Sequence, residues 1–375
     1  MKILYKIHHF IKKETIFTIG TALAILSMLL VHPDHQYMNY IDWSTILLLF
    51  CLMAVMAGFK QLGVFRAIGI RLLSHTGHTR QLACVLVFLP FVLSMFITND
   101  VALITFVPFC IIVLRLANAE ELVIPIVTLQ TIAANLGSML MPMGNPQNLY
   151  LYAKSGMHLS EFCVLMFPYT AVSAVFILLG ILLIRKYTIP QFDRQMLQNE
   201  MPISVSSVIL YSTAFLLCLL CVADILNIWV LAIIIVFFLL IYDRHIFACI
   251  DYSLLGTFIV FFIFIGNIGR LPEFRNFIEN ILNGHETIVS VLSSQIISNV
   301  PTALLLSGFS NHWNALIIGT NLGGLGTLIA SMASLISYKQ IAIEYSCKRG
   351  KYLLFFTAAN IIGLCLLLGL HFLLG

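Results

Sequence analysis

Long runs of apolar residues constrain the fold of this chain more than any other feature. A bilayer core of about 30 Å is crossed by about 20 apolar residues in helical form. Such segments fall near residues 14–31, 41–59, 81–116, 122–152, 162–185, 205–223, 228–242, 253–268, 287–310, 314–338 and 352–374. Of the 375 residues, 60% are hydrophobic and only 10% are charged, which excludes a water-soluble globule. We therefore predict an all-α polytopic membrane protein.

The lysines and arginines predict how the chain is oriented in the membrane. They concentrate in four loops, at 60–80, 185–202, 243–250 and 339–351, whereas the loop 32–40 has none. The positive-inside rule then places the N-terminus in the cytoplasm, with Arg270 and Arg275 as outside exceptions. Because this pattern accounts for the net charge of +4, we expect the lipid bilayer, and no nucleic acid, as the partner of these charges.

The first apolar run predicts a retained span. It follows the basic residues Lys2, Lys6, Lys12 and Lys13 and has no small-residue cleavage site before His32, which favours a membrane helix over a cleaved signal peptide. We expect a multi-pass protein of the bacterial cytoplasmic (inner) membrane.

Polar residues interrupt two of the apolar segments at membrane depth. Segment 81–116 contains Thr98, Asn99 and Asp100, and segment 287–310 contains Ser298, Asn299, Pro301 and Thr302. Irregular backbone at this depth is tolerated only where it is buried in protein or lines a wet cavity. Both segments are predicted to be re-entrant hairpins that enter and leave on one side.

The two halves of the sequence resemble each other. Asp42-Trp43-Ser44 matches Asp251-Tyr252-Ser253, and Asn135-Leu136-Gly137 matches Asn321-Leu322-Gly323. Residues 1–204 form the first repeat and 228–375 the second, and the single linker span within 205–227 inverts the second repeat. An inverted repeat of helices with two hairpins and two unwound spans is typical of secondary transporters, whose sites lie at the midplane.

Two connecting segments have an amphipathic pattern. Residues 271–284 place Leu271, Phe274, Ile278 and Ile281 on one stripe at helical spacing, and residues 61–75 do so less regularly. This pattern favours helices lying in the membrane interface; the alternative is a plain connecting loop.

Asp100 is the most informative single charge, because a carboxylate inside a membrane costs about 2.5–3.5 kcal/mol on insertion scales. It could bind a sodium ion together with backbone carbonyls, or carry a proton. The structural alternative is that it only caps the helix that starts at Val101.

The second hairpin offers hydroxyl, amide and carbonyl oxygens without a carboxylate. The alternative to a binding site there is a proline kink in which Ser and Thr bond back to their own helix.

Residues 135–148 must unwind inside the membrane, because this span carries two prolines, two glycines and four side-chain amides. Its freed carbonyls could hold a cation, and the next half-helix N-terminus suits an anion. The candidate residues are Asn135, Gly144, Asn145, Pro146 and Asn148, and their counterparts are Asn321, Gly326, Thr327 and Ser331. For the run 319–327, the alternative to a binding role is close helix packing through Gly319 and Gly323.

Several function classes lack their sequence signatures. No phosphate-binding loop is present, so ATP is not expected as the local energy source, and neither a zinc-protease motif nor paired aspartates inside spans support an enzyme. A channel with a fixed filter is the remaining membrane alternative.

At these residues the chain resembles the ion transporter superfamily, in particular bacterial permeases grouped with arsenite efflux permeases, divalent anion/sodium symporters and citrate transporters. The resemblance rests on Phe96–Leu103, Asn135–Ser138 with Gly144–Asn148, and Ile297–Thr302. It implies an elevator-type carrier whose hairpins move against a dimerising scaffold, with no cofactor beyond sodium or a proton. It also implies sodium at Asn99, Asp100, Asn145 and Asn299. The two hairpin tips of this chain are Thr98-Asn99-Asp100 and Ser298-Asn299-Val300. They differ from the Ser-Asn-Thr tips that are usual in dicarboxylate symporters.

We therefore predict a secondary active transporter of a small carboxylate or inorganic anion, coupled to sodium or protons. The alternative is cation/proton antiport, or arsenite-type efflux, that uses Asp100.

Overall fold

The computed structural model describes residues 14–73, 76–189 and 204–374, and these residues are helical without any β-strand. The prediction that concerns Lys2, Lys6, Lys12 and Lys13 lies outside the described residues, as do positions 74–75 of the segment 61–75 and positions 190–202 of the loop 185–202. The first half contains α1 (Thr15–Leu30), α2 (Trp43–Gln61), α3 (Val64–Leu73), α4 (Thr79–Leu93), α5 (Asn99–Leu116), α6 (Val123–Gly137), α7 (Pro146–Ser155) and α8 (Leu159–Leu182).

The second half follows after α9 (Val205–Val222). It contains α10 (Ile228–Tyr242), α11 (Tyr252–Gly269), α12 (Pro272–Leu282), α13 (Glu286–Ile297), α14 (Asn299–Leu306), α15 (Trp313–Leu322), α16 (Met332–Glu344) and α17 (Arg349–Leu374). Short helical turns occur at Tyr37–Tyr40, Glu120–Leu122, Ser138–Leu140, Pro142–Gly144, Arg244–Cys249 and Ser346–Lys348.

Seven helical segments in the described ranges are long and apolar enough to cross a membrane. They are Trp43–Gln61, Asn99–Leu116, Glu120–Leu140, Leu159–Leu182, Val205–Val222, Tyr252–Gly269 and Ser346–Leu374. The burial of these segments differs widely. Within an apolar stretch of 18 residues, 94% of the residues are buried in Glu120–Leu140 but only 22% in Ser346–Leu374. The chain is therefore a multi-pass membrane protein with α6 at its centre and α17 at its periphery.

The matching Asp-aromatic-Ser sequences have the same structural role. Asp42 accepts a hydrogen bond from the Thr45 amide at 3.2 Å, and Asp251 accepts one from the Leu254 amide at 3.0 Å. Each aspartate thus caps the N-terminus of its helix, α2 or α11.

Helices break where polar residues interrupt the apolar segments. The first helix pair, α4 and α5, is separated by residues 94–98, and the second helix pair, α13 and α14, by Ser298 alone. The first broken helix, α6 and α7, is interrupted at 138–145, and the second broken helix, α15 and α16, at 323–331. Helices α13 and α14, with 12 and 8 residues, are each too short to cross a bilayer.

The two halves exchange equivalent contacts. Helix α4 packs on α6, and α13 packs on α15 in the same way. Across the halves, α5 packs on α16, and α14 packs on α7.

Loops that were predicted to share a side of the membrane are in contact. Arg270 forms a 2.8 Å ion pair with Asp34. Between the loops 60–80 and 185–202, which were both predicted to lie in the cytoplasm, Thr79 Oγ1 donates to Arg185 O at 2.8 Å. The two exceptions to the positive-inside pattern are therefore paired, because Arg275 also forms a 2.7 Å ion pair with Glu279.

The amphipathic segments are helices rather than plain loops. They form α3 and α12, and α12 exposes Phe274, Phe277 and Ile281 on one side.

Candidate functional site

Four helices begin at one narrow crevice in the interior. Its lining includes Asn99 and Asp100 of α5, Pro146 and Gln147 of α7, Asn299 and Val300 of α14, and Ser331 and Met332 at the start of α16. None of the four N-cap side chains, those of Thr98, Asn145, Ser298 and Ser331, bonds to an amide of its own helix. The positive ends of four helix dipoles thus point toward one small volume.

Equivalent asparagines shape both helix starts. Asn99 Oδ1 accepts from the Asp100 amide, and Asn299 Oδ1 accepts from the Val300 amide, at 3.0 Å in each case. Helix α5 starts at Asn99, and among the described residues no helix amide donates to the Asp100 carboxylate, so Asp100 does not cap its helix. The two helix starts therefore share this hydrogen bond and differ in charge, since Val300 stands where Asp100 stands in the first half.

Asn135 joins the two halves beneath the crevice. Its Oδ1 accepts from Asn99 Nδ2 at 2.9 Å and from Ser331 Oγ at 3.0 Å, and its Nδ2 donates to Ser334 Oγ at 3.4 Å. All four side chains are buried. In the other half, Asn321 Nδ2 donates to Asn148 Oδ1 at 2.6 Å, which repeats the pairing between α6 and α16.

The first break has a closely packed backbone. A Cβ atom on Gly144 would lie 2.1 Å from Ser138 O and 2.8 Å from Ser94 O. Asn145 Nδ2 donates to Ser138 Oγ at 2.7 Å, while its Oδ1 is buried and has no partner among the described residues. An unpaired buried acceptor of this kind suits a cation or a donor group of a solute.

The second helix pair has a strained tip. Ser298 has φ 74° and ψ 157°, a conformation that residues other than glycine rarely adopt. Its Oγ donates toward Ala330 O, and Thr302 Oγ1 is buried without a partner among the described residues. The alternative in which Ser and Thr bond back to their own helix is therefore wrong. Pro301 lies in the buried first turn of α14.

Gly326 and Thr327 do not reach the crevice. Thr327 is exposed, and its amide donates to Gln295 Oε1 at 2.9 Å. The glycines of α15 serve packing, because a Cβ on Gly319 would lie 2.6 Å from Ser290 Cβ. The structure thus brings most of the predicted residues together but places these two outside.

A cavity of about 540 Å³ leads from the surface toward the crevice. Thr98, Asp100 and Asn145 form its polar inner end, and its walls are largely apolar, with Leu52, Met56 and Phe96 among the lining residues. Its exposed mouth is lined by Lys60, Gln61, His245, Cys249 and Asp251. Asp100 is half-buried, and no hydrogen bond or ion pair within the described part of the chain neutralises its carboxylate.

Helix α7 is closely packed one turn beyond the crevice, at Tyr150. Tyr150 is buried, and its hydroxyl shares a 2.8 Å hydrogen bond with Ser307 Oγ. Phe258 and Phe262 pack against the Tyr150 ring with centroid distances of 6.2 and 5.5 Å. The Tyr150 side chain thus packs α7 against α11 and against the C-terminal end of α14.

Two amides of the site were missed from the sequence. Gln147 lines the crevice, and Gln295 contacts the second break. Both follow the rule that an amide inside an otherwise apolar membrane segment needs partners, which is the signal that could have found them.

Comparison with known proteins identifies transporters. Residues 9–310 match the family described as "Citrate transporter" (CitMHS). The uncharacterized transporter MJ0456 of Methanocaldococcus jannaschii is 33% identical over 86% of this chain and 88% of its own length. The inner membrane protein YbiR of Escherichia coli is 31% identical over 80% of each chain. The silicon efflux transporter LSI3 of Oryza sativa subsp. japonica is 31% identical over 40% of this chain and 31% of its own length.

Proposed function

We propose that this chain, which belongs to the citrate transporter family, is a secondary active carrier that moves a small anion across the membrane together with sodium ions or protons. The observation that carries this proposal is the convergence of four helix N-termini on one crevice. Each N-terminus contributes about half a positive charge, so the four together suit an anion. No lysine or arginine of the described residues lines this crevice.

A cation belongs to the same proposal because of Asp100. Its carboxylate lines both the crevice and the cavity and would repel an approaching anion unless a sodium ion or a proton neutralised it. The unpartnered Asn145 Oδ1 at the same end of the cavity is a further oxygen ligand for sodium. Cation and anion sites would therefore be adjacent, which couples their occupancy.

We infer that the two helix pairs are re-entrant hairpins of an inverted repeat. The reciprocal contacts of α5 with α16 and of α14 with α7 support this arrangement. In the proposed elevator, the hairpins and broken helices move as one unit, while α2, α9 and α10, which pack together, belong to the scaffold.

Access alternates between the two sides in this proposal. The cavity opens at the loops containing Lys60 and His245, which the positive-inside pattern assigns to the cytoplasm. The Tyr150–Ser307 contact would close the outer side. The described conformation then corresponds to a carrier open to the cytoplasm.

A second candidate function is cation/proton exchange without an anion. The observation that favours it is the half-buried, unneutralised carboxylate of Asp100 at the inner end of the open cavity. A carboxylate that binds sodium in one step and a proton in another could exchange these ions without any solute.

Uptake into proteoliposomes tests both candidates. Radiolabelled citrate, succinate, sulfate, phosphate, arsenite and silicic acid would be offered under an imposed sodium or proton gradient. The anion proposal predicts gradient-driven accumulation of at least one anion, with loss of the gradient dependence in Asp100→Asn. Asp251→Asn, at the mouth of the same cavity, is the matched control and should retain it.

Two results would decide against parts of the proposal. Sodium/proton exchange without any solute, abolished in Asp100→Asn, would favour the second candidate. Downhill flux of anions that neither saturates nor responds to a gradient would indicate a channel.

A further inference from the structure

The side chain of Gln295 fills the loop of the second broken helix. Its Nε2 donates to Gly323 O at 3.0 Å, to Leu325 O at 2.9 Å and, within its own helix, to Val291 O at 3.1 Å. Its Oε1 accepts from the Thr327 amide at 2.9 Å. Both ends of the amide are therefore used by the backbone that the interruption of the helix sets free.

The fit around Gln295 leaves no room for another group. Gly326 has φ 110°, and a Cβ atom on it would lie 2.2 Å from Gln295 Oε1. Carbonyl oxygens that converge in a broken membrane helix need a positive partner, which is either a donor N–H or a cation. At this break the Gln295 amide group supplies that partner.

The equivalent place in the first half has a different composition. The register that aligns Asn99 with Asn299 also aligns Met95 with Gln295, and a thioether cannot donate a hydrogen bond. There Ser94 O and Ser138 O approach each other around Gly144, and Asn145 Oδ1 has no partner within the described residues. Asp100 then adds a carboxylate to the end of the cavity that Asn145 also lines.

We propose that this protein binds one coupling cation, at the first break, because the amide of Gln295 permanently occupies the corresponding position at the second. Gln295 thereby sets the number of ions per transport cycle. This inference rests on the proposed function only in requiring a coupling cation, and it does not depend on which anion is carried.

The number of bound cations is measurable without knowing the solute. The thermal unfolding of the purified full-length protein would be followed against NaCl, with choline chloride keeping the ionic strength constant, and separately against pH without sodium. A ligand that binds only the folded state raises the folding equilibrium constant tenfold per tenfold rise in its concentration above Kd, and two such ligands raise it a hundredfold. The wild type should show the tenfold dependence for sodium or for protons.

Variants at Gln295 test the cause. Gln295→Glu puts a carboxylate between Gly323 O and Leu325 O, an arrangement that only a cation can neutralise, so its sodium dependence should rise toward a hundredfold per decade. Gln295→Met keeps a similar volume but removes the donor and should also gain sodium dependence. Asp100→Asn should lose the single-ion dependence in an otherwise unchanged chain.

The outcomes separate this inference from the proposed function. A hundredfold dependence in the wild type overturns it, as does the absence of any dependence on sodium or protons. Both results can be read even if the Gln295 variants do not fold. A single-ion dependence without anion uptake would support one cation site and overturn the anion proposal, whereas anion uptake with two-ion dependence would do the reverse.

Discussion

Replacing Gly144 with alanine should inactivate the carrier without removing any polar group from the site. The new Cβ atom would lie 2.1 Å from Ser138 O and 2.8 Å from Ser94 O. A carbon and an oxygen that are not bonded stay about 3.3 Å apart, so Ser138 O would have to move by about 1.2 Å. Both oxygens belong to the backbone, and the first break must therefore change shape.

The size of the effect follows from that displacement. Overpacking in a closely packed interior costs about 1–3 kcal/mol of the free energy of unfolding. Gly144 precedes Asn145, the N-cap of α7, so the helix start and the free Oδ1 atom move with it. A misplacement of about 1 Å in a site costs about a hundredfold in rate. We expect uptake in proteoliposomes to fall by about that factor.

A matched glycine provides the control. Gly350 lies in the first turn of α17, and a Cβ atom there meets nothing within 4 Å. Gly350→Ala should leave uptake unchanged and raise helix stability by up to about 1 kcal/mol. Thermal unfolding followed by tryptophan fluorescence compares the two variants. Wild-type stability and uptake in Gly144→Ala would refute the packing described for the first break.

Three further predictions concern single groups. Asn135→Ala removes three side-chain hydrogen bonds, which average about 0.6 kcal/mol each in membrane interiors, so denaturant titration in mixed micelles should show a loss of about 2 kcal/mol. Asn321→Ala removes two, to Asn148 Oδ1 and Ile317 O, and should lose about 1 kcal/mol on the same scale; a loss equal to that of Asn135→Ala would contradict the assigned network. Ser298→Gly should relieve about 1 kcal/mol of backbone strain and raise the unfolding temperature; a lower temperature would contradict the strain. The Arg270 guanidinium lowers the pKa of the Asp34 carboxyl, so their ion pair stabilises the fold above the ordinary pKa of about 3.9 and is lost as the pH falls through the lowered value. Asp34→Asn should therefore lower the unfolding temperature slightly at pH 7, and this difference should shrink as the pH falls below the ordinary pKa of about 3.9. A difference that does not shrink in acid would count against the pair.

The positions of the helices could be predicted from the sequence because the bilayer imposes one length scale on apolar segments. The predicted first run, 14–31, is α1 at Thr15–Leu30, and the predicted run 228–242 is α10 at the same residues. The helix breaks were also predictable, because Asn, Pro and Gly close together in the sequence interrupt a membrane helix. The backbone groups set free there are tolerated only where they are buried in protein or line a wet cavity.

The contacts inside the breaks could not be predicted in the same way. Once a helix unwinds, the 3.6-residue period no longer tells which way a side chain points. Thr327 therefore contacts Gln295 and stays exposed, although the sequence around it aligns with that of the first broken helix. Gln147 lines the crevice although the sequence gives it no more weight than its neighbours.

The role of Asp100 was only partly predictable. Its cost in a membrane marked it as functional, but capping remained an alternative until the structure showed that the helix starts at Asn99 and places Asp100 inside its first turn. The exception Arg270 needed coordinates as well, because its partner Asp34 is 236 residues away in the sequence. The pair of Arg275 with Glu279 has the i,i+4 spacing of one helix and could have been read from the sequence.

The four helix starts at the crevice have a consequence for how such a protein can diversify. Under the proposed function, the attraction for a negative solute comes from peptide N–H groups, which every residue except proline supplies, so the truncation of one side chain does not remove it. Selectivity must then vary through the side chains along the entry cavity and through Asp100. Members of one family can thus differ in the solute that they transport while the four helix N-termini at the crevice stay the same.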